Sequence, residues 1–280
     1  RDISTMVIYY NSDLFKAKNL PTPSELKAQG KWDWDNLRST AKSLTSADTY
    51  GLGLANWWGP WGYFVYAAGG SFFNADKTAT NLDSAESVAG LKYLSDLVNV
   101  DKSVPLPTDA NVDAEALFNA GKVGMMINGR WFTPGVRASS KFNWDVEELP
   151  KGKVNATWLF WGPYVINNKT ANADAAWRVM KEITKAEAMG KVAEMGTNIP
   201  ARKDTSAVDT FLASSPPANN KAFISGTDYA TAEFALWTGS WSEYMDKIVQ
   251  PEIGKVIAGQ LSAEDFGKGI KAKTDSIFKK

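Results

Sequence analysis

Segments with the hydrophobic pattern of a strand alternate along this chain with segments patterned as helices. Strands are predicted where β-branched and aromatic residues cluster or alternate with other residues, at residues 4–10, 49–55, 122–128, 143–150 and 163–168. Helices are predicted where apolar residues recur three or four positions apart, at residues 33–44, 82–98, 113–121, 171–184 and 262–278. Helices that alternate with short strands pack on the faces of a sheet, so the pattern predicts an α/β fold.

Local signals add detail to three of these helices. Asp83, with Glu86 three residues later, is expected to cap helix 82–98 in the manner of a capping box. Ser262 is expected to cap the C-terminal helix. Trp177 lies on the periodic helix 171–184, and we expect its ring to fill the core.

Composition limits the chemistry that the 280 residues can perform. The sequence contains neither cysteine nor histidine, which removes disulfides, thiol nucleophiles, Ser-His-Asp catalysis and nearly all zinc sites. An enzyme built from it would depend on carboxylates, lysine, tyrosine or serine. Basic and acidic residues both number 31, so the chain has no excess positive charge that would indicate binding to nucleic acid or to an anionic membrane. We expect no metal, no cofactor and no nucleic-acid partner.

The 12 tryptophans of the chain occur mostly in groups beside glycine. The densest group is "NWWGPWGYF", residues 56–64. A helix core spaces its aromatic residues three or four apart and a buried strand avoids internal proline, so this stretch fits neither pattern. Similar groups, "INGRWF", "TWLFWGPY" and "ALWTGSW", stand at predicted strand or helix ends. Such ends are where α/β folds build binding sites, so we expect at least one of Trp57, Trp58 and Trp61 to contact a ligand.

Aromatic rings beside amides and a few charges suit an uncharged sugar. One face of a pyranose carries C–H groups, and covering roughly 100 Å² of it with an indole is worth about 2.5 kcal/mol. The sugar hydroxyls then need polar partners, because each unpaired one costs about 1–3 kcal/mol. Polar residues next to the aromatic groups are Asn56, Asn128, Arg130, Asn198 and Arg202. The predicted ligand is an uncharged oligosaccharide rather than an anion or a peptide.

The order of several motifs resembles that of a known family. The stretches "TMVIYYNSDLFKAKNL", "ALFNAGKVGMMINGRWF", "NWDVEELPKG", "WGPYVINNKTANADAAWRVMKEIT" and "GTNIPARKD" follow one another as in the sugar-binding proteins of bacterial ABC importers, which include the maltodextrin-binding proteins. The resemblance implies a periplasmic-binding-protein-like fold of two α/β lobes, which closes on a sugar and presents it to the transmembrane subunits of an ABC permease. It also implies no enzymatic activity and an extracytoplasmic location, in the periplasm or on the cell surface as a lipoprotein.

On that resemblance the chain holds mostly the C-terminal lobe. Residues 1–10 resemble the end of the N-terminal lobe and the first hinge crossing, and residues 11–149 and 198–280 resemble the C-terminal lobe. Residues 150–197 resemble a segment that returns to the N-terminal lobe. Family members usually carry roughly a hundred further residues before the first crossing, a domain-sized segment. We therefore expect part of the N-terminal lobe to be absent from this sequence or supplied by a second chain, and residues 151–196 to expose apolar surface.

The aromatic groups and the resemblance together predict one ligand site. Its residues are Asn56, Trp57, Trp58, Trp61, Asn128, Arg130, Trp131, Trp158, Trp161, Gly162, Arg202, Trp237 and Trp241. Two alternatives stay open. A glycoside hydrolase or lyase could use Glu147, Glu148 or Glu233 in an aromatic cleft. A protein of the same fold could instead bind a polyamine or a peptide, and a polyamine would require carboxylates beside the tryptophans.

Overall fold

A computed structural model describes residues 2–196, 199–202, 205–232 and 239–279. Its strands are β1 (Asp2–Asn11), β2 (Tyr50–Leu54), β3 (Val123–Gly129), β4 (Trp144–Glu148), β5 (Trp158–Gly162), β6 (Ile199–Pro200) and β7 (Thr231–Ala232). β1 is the longest of them, and four of the others pair with it directly. The sheet is therefore organised around β1.

β1 pairs with different strands along its two halves. Residues 6–11 pair antiparallel with β3 and β4, and residues 2–5 pair antiparallel with β5 and β6. β2 extends the first group by running parallel to β3, and β7 extends the second by running parallel to β5. The change of partners between Thr5 and Met6 divides the sheet into two groups of strands, and β1 belongs to both.

Helices connect these strands and cover both faces of the sheet. In chain order they are α1 (Ser12–Ala17), α2 (Pro23–Ala28), α3 (Trp34–Leu44), α4 (Trp58–Ala67), α5 (Ala85–Asn99), α6 (Ala114–Asn119), α7 (Thr133–Ser139), α8 (Ala173–Ile183), α9 (Ala186–Met195), α10 (Thr205–Ala213), α11 (Lys221–Ser225), α12 (Trp241–Tyr244), α13 (Gln250–Ile257) and α14 (Ala263–Phe278). A 3-10 turn (Arg130–Phe132) precedes α7, and a π-helical turn (Met245–Val249) joins α12 to α13. None of the helices in the described part of the chain has the length and apolarity needed to cross a membrane.

Two hydrophobic cores lie on opposite faces of the sheet. Successive side chains of a strand point to opposite faces. Met6, Ile8 and Tyr10 of β1 accordingly pack into one core, with α3, α4, α5, α13 and α14. Val7 and Tyr9 pack into the other, with α6, α7, α10 and α11. The result is the layered α/β architecture that the alternating pattern predicts.

Most of the predicted elements are confirmed, with one strand wrong and one cap misplaced. The prediction of a strand at residues 163–168 is wrong: the strand is β5, whose ladder ends at the Gly162–Asp2 pair, and Pro163 has no N–H to continue it. Helix α5 begins one residue later than the sequence suggests, because the Ser84 hydroxyl, not Asp83, accepts the capping bond. The Ser262 cap of α14 is confirmed.

Helix α8 exposes most of its surface. None of its residues is buried, and Trp177 is 54% exposed, so the prediction that this ring fills the core is wrong. The neighbouring segment also exposes large apolar side chains, among them Tyr164, Val165 and Met195. The expectation of apolar surface within residues 151–196 is confirmed, whereas the domain boundaries drawn with it stay a prediction.

Candidate functional site

Five aromatic side chains from distant parts of the sequence form one surface, which we call the aromatic platform: Trp57, Trp58, Trp131, Phe160 and Trp241. All five are at least partly exposed. The Phe160 centroid lies 5.5 Å from Trp57, 5.6 Å from Trp58 and 5.2 Å from Trp131. Trp241 meets Trp58 edge-to-face at 5.5 Å. These separations are typical of favourable aromatic pairs, so the rings hold one another in a continuous apolar surface.

The topology of the sheet gathers the platform. β2 and β3 run parallel, so their carboxyl ends meet at the same edge. Trp57 and Trp58 follow β2 at the start of α4, and Trp131 follows β3 in the 3-10 turn. Phe160 reaches the same edge on β5, and Trp241 reaches it at the start of α12. Four separate chain segments thus contribute to the platform.

Two glycines set the tilt of two platform rings. A Cβ atom at Gly59 would lie 2.4 Å from the Trp57 ring, and one at Gly129 would lie 2.2 Å from the Trp131 ring. Both distances are far inside van der Waals contact, so each indole can lie against its neighbouring backbone only where glycine stands. The pairing of tryptophan with glycine in "WWG" and "GRW" therefore has a steric cause.

A pocket of about 210 Å³ opens beside the platform. Trp131, Phe160 and Trp161 supply its aromatic walls, and Asp2 and Ser4 of β1 supply polar lining. Ile3 and Gly162 complete it. Aromatic walls with a small number of polar groups are typical of a small-molecule site.

A chain of hydrogen bonds borders Trp57. The buried indole Nε1 of Trp61 donates to Oε1 of Gln250 at 2.8 Å. Nε2 of Gln250 donates in turn to Oδ1 of Asn56 at 3.1 Å. Asn56 is exposed and directly precedes Trp57, so its amide stands at the rim of the platform.

Comparison with known proteins identifies the family. Residues 2–190 match the family described as bacterial extracellular solute-binding protein. The chain belongs to this family. One relative, from Brucella abortus and named only as a binding protein, is 23% identical over an alignment of 292 positions, which covers 99% of this chain and 66% of the relative. The chain thus spans about two thirds of the length of the curated relatives it matches.

Solved structures of solute-binding proteins share the fold. An ABC substrate-binding protein from Listeria monocytogenes, in complex with cycloalternan, matches with a TM-score of 0.88 at 23% identity, over 99% of this chain and 70% of that one. The GacH receptor of Streptomyces glaucescens, solved unliganded and with acarbose, matches with a TM-score of 0.83 at 20% identity, over 100% and 70% of the two chains. The predicted periplasmic-binding-protein-like fold is confirmed.

Four of the residues predicted to contact ligand are instead buried in this member of the solute-binding family. Trp61 and Trp158 are each 1% exposed, and the Trp158 indole donates to the Gly59 carbonyl at 2.7 Å. Asn128 is also buried, and its Nδ2 donates to Oε1 of Glu115 at 2.8 Å. In the structure these side chains contribute to packing, because their rings and polar atoms are enclosed by the protein, and their ligand role stays a prediction. Arg130 is the fourth.

Arg130 is a buried cation held by neutral groups. Its Nε donates to the Gly196 carbonyl at 2.9 Å, its Nη2 donates to the Ser214 hydroxyl at 3.1 Å, and its Nη1 donates to Oδ1 of Asn220. The guanidinium also lies 4.7 Å from the centre of the Phe211 ring. Burial lowers the pKa of Arg130 to about 10. The side chain points into the second core and ties three chain segments together.

The remaining predicted site residues are dispersed. Trp161 is 46% exposed and lines the pocket with Gly162. Arg202 is exposed, and its Nη1 donates to the Thr184 carbonyl at 3.3 Å, after the end of α8. Trp237 lies outside the described residues.

Sequence reasoning missed Phe160 and the polar pocket residues of β1. Trp158 and Phe160 both contact Trp58, because alternate residues of β5 face the same side of the sheet. Strand alternation applied to "WLFWG" would have separated these two rings from Trp161. Asp2 and Ser4 gave no sequence signal, since polar residues at the start of a buried strand have many roles.

The carboxylates of the enzymatic alternative lie elsewhere. Both oxygens of Glu147 accept hydrogen bonds, from the Glu148 N–H at 2.8 Å and from Nδ2 of Asn219 at 3.0 Å. Glu148 pairs with Lys27 and accepts a hydrogen bond from the Tyr229 hydroxyl at 2.7 Å. These groups hold the end of β4, and Glu233 lies outside the described residues.

Proposed function

We propose that this protein binds an uncharged oligosaccharide on the aromatic platform and in the adjoining pocket. The observation that carries the proposal is the assembly of Trp57, Trp58, Trp131, Phe160 and Trp241 into one accessible surface. Each indole that covers about 100 Å² of a sugar face contributes about 2.5 kcal/mol by area, so two stacked rings would contribute about 5 kcal/mol. The neighbouring polar groups, Asn56 among them, serve the hydroxyls.

Two structural neighbours are described in complex with sugars or sugar analogues. The Listeria monocytogenes protein is described with cycloalternan and the Streptomyces glaucescens receptor with acarbose. Identities of 23% and 20% support the fold alone, so the ligand class rests on the platform.

The division of β1 suggests how binding is coupled to closure. Trp57, Trp58 and Trp131 belong to segments that follow β2 and β3, the strands grouped with residues 6–11 of β1. Phe160 belongs to β5, which pairs with residues 2–5. A sugar that contacts both groups would favour the closed arrangement of two lobes, provided that it binds this state more tightly than the open one. The residues near Thr5 and Met6 would act as one hinge crossing.

In this proposal the closed complex delivers its sugar to the transmembrane subunits of an ABC importer outside the cytoplasm. The proposed action is binding and not catalysis: of the carboxylates considered for an enzyme, Glu147 and Glu148 are engaged in contacts away from the platform, and Glu233 lies outside the described residues. The proposal keeps the lobe boundaries expected from the sequence and places the first crossing at residues 5–6, within the expected segment 1–10.

A thermal-shift screen of the full-length protein tests the proposal. A ligand that binds only the native state raises the melting temperature, and above Kd the stabilisation grows with the logarithm of the ligand concentration. We expect a dose-dependent rise with at least one of maltotriose, cellotriose and cycloalternan, and none with putrescine or a neutral tripeptide. The proposal would be contradicted if only putrescine or the tripeptide raised the melting temperature, or if none of the five compounds did.

A further inference from the structure

Gln250 connects the core beneath the platform to its rim. Its side-chain oxygen accepts a hydrogen bond from Nε1 of Trp61 at 2.8 Å, and its side-chain nitrogen donates to Oδ1 of Asn56 at 3.1 Å. Trp61 is 1% exposed, so this indole N–H has no access to water as an alternative partner.

The chemistry of these three groups fixes the direction of both bonds. An indole N–H can only donate, so the atom of Gln250 that faces it must be the oxygen. The other end of the Gln250 amide is then an NH₂ group, which can only donate. Asn56 must therefore turn its oxygen towards Gln250. Its own NH₂ group, Nδ2, takes no part in these two bonds and can donate to another group.

The backbone explains why Gln250 can reach this position. Trp241 and Gln250 are nine residues apart, which is two and a half turns of an uninterrupted α-helix and would place them on opposite faces. The π-helical turn Met245–Val249 lies between them and shifts the phase of the helix. It allows one continuous helical segment to give a ring to the platform and an amide to its rim. Single π-helical turns of this kind are frequent at functional sites.

We propose that Gln250 is a positioning residue that holds Asn56 as a hydrogen-bond donor to the bound ligand. This inference rests on the proposed function of the platform. Asn56 would select an oxygen that accepts a hydrogen bond, such as a ring oxygen, a glycosidic oxygen or a hydroxyl oriented by other groups. A ligand that offered only a donor at this point would leave two donors facing each other and would be rejected.

Exchanging Gln250 for glutamate reverses the arrangement. In the Gln250→Glu variant the carboxylate still accepts from Trp61, but it now repels the Asn56 oxygen and attracts its NH₂ group. The Asn56 amide then rotates and presents an acceptor to the ligand. We expect the affinity for the tightest-binding oligosaccharide of the screen to fall about 10-fold, the value of one hydrogen bond of about 1.4 kcal/mol. Gln260→Glu adds the same charge at an exposed position in the turn after α13, and we expect its affinity to stay within about twofold of wild type.

Side-chain amide exchange, measured by ¹H–¹⁵N NMR on the wild-type protein without ligand, tests the orientation separately. We expect the Gln250 NH₂ group to be protected from exchange and the Asn56 NH₂ group to exchange rapidly, and the Asn56 signal alone to move when oligosaccharide binds. Protection of Asn56 in the free protein, or unchanged affinity in Gln250→Glu, would overturn the inference. If no oligosaccharide binds the wild-type protein, the proposed function fails, whereas the exchange pattern still decides how Asn56 is oriented.

Discussion

The Nε atom of Arg130 donates a hydrogen bond to the carbonyl oxygen of Gly196 at 2.9 Å and so joins residues that are 66 positions apart. Arg130 directly precedes Trp131 of the platform, and Gly196 ends α9 in the left-handed conformation, with φ of 65°. The bond therefore anchors the backbone of a platform ring to the segment that leads into β6. Arg130, which the sequence suggested as a ligand contact, thus supports the backbone beside the platform.

Replacing Arg130 by lysine should destabilise the fold. The compact ammonium group cannot reach Gly196, Ser214 and Asn220 together, so buried acceptors lose their donors. We expect the free energy of unfolding to fall by about 2–4 kcal/mol in urea denaturation. Arg178→Lys on the exposed face of α8 is the matched control and should change stability by less than about 0.5 kcal/mol. Equal stability of the two variants would refute the anchoring role.

The N-terminal cap of α5 is Ser84 in the structure, whereas the sequence predicts its neighbour Asp83. The Ser84 hydroxyl accepts the N–H of Ser87 at 3.3 Å and donates to the Ser87 hydroxyl at 2.9 Å. We expect Ser84→Ala to lower the free energy of unfolding by about 1 kcal/mol and Ser84→Asp to restore much of it. Asp83→Ala should have little effect. A larger loss of stability in Asp83→Ala than in Ser84→Ala would contradict the Ser84 cap and support the Asp83 cap that the sequence predicts.

Stability at low pH should depend on Asp101. Burial alone would raise the pKa of this carboxyl, but the hydrogen bonds and charge of Arg38, with Lys42 nearby, outweigh it and hold the pKa below its usual value of 3.8. Because the folded-state pKa is depressed, the stabilisation is complete above pH 3.8 and is lost as the pH falls through the folded-state value. We expect Asp101→Asn to be less stable than wild type at pH 6, and the difference to shrink by pH 2.5.

Urea denaturation at both pH values measures this effect. Asp48→Asn, on the exposed loop before β2, supplies the control for removing one negative charge. If the difference in the free energy of unfolding between wild type and Asp101→Asn stayed constant from pH 6 to pH 2.5, the ion pair of Asp101 would not be the cause of that difference.

Sequence patterns predicted the elements better than the positions of single rings. Periodicity located α14 and its Ser262 cap, because both signals are local. It could not tell that Trp61 is buried while Trp57 is partly exposed, since that depends on how α4 packs against α13 and β5. Trp177 shows the same limit: its helix is amphipathic, but no described element covers its apolar face.

The candidate site could be predicted from the sequence only where its signals are local. The strand ends before Trp57 and Trp131 could be found from sequence, and parallel pairing of β2 and β3 brings them together. Gln250 could not, because its contact with Asn56 spans 194 residues and depends on a π-helical turn that leaves no clear pattern. Nonlocal hydrogen bonds of this kind require the folded structure.

Isothermal titration calorimetry of Trp131→Ala tests the role of the platform most directly. Trp131 is 41% exposed, and Tyr50, at the opposite end of β2, is 39% exposed, so Tyr50→Ala is a matched control away from the platform. With the tightest-binding oligosaccharide of the screen, we expect Trp131→Ala to raise Kd about 10- to 100-fold through lost stacking, and Tyr50→Ala to leave Kd within about twofold. Unchanged affinity in Trp131→Ala, or equal losses in both variants, would contradict the aromatic platform as the sugar-binding surface.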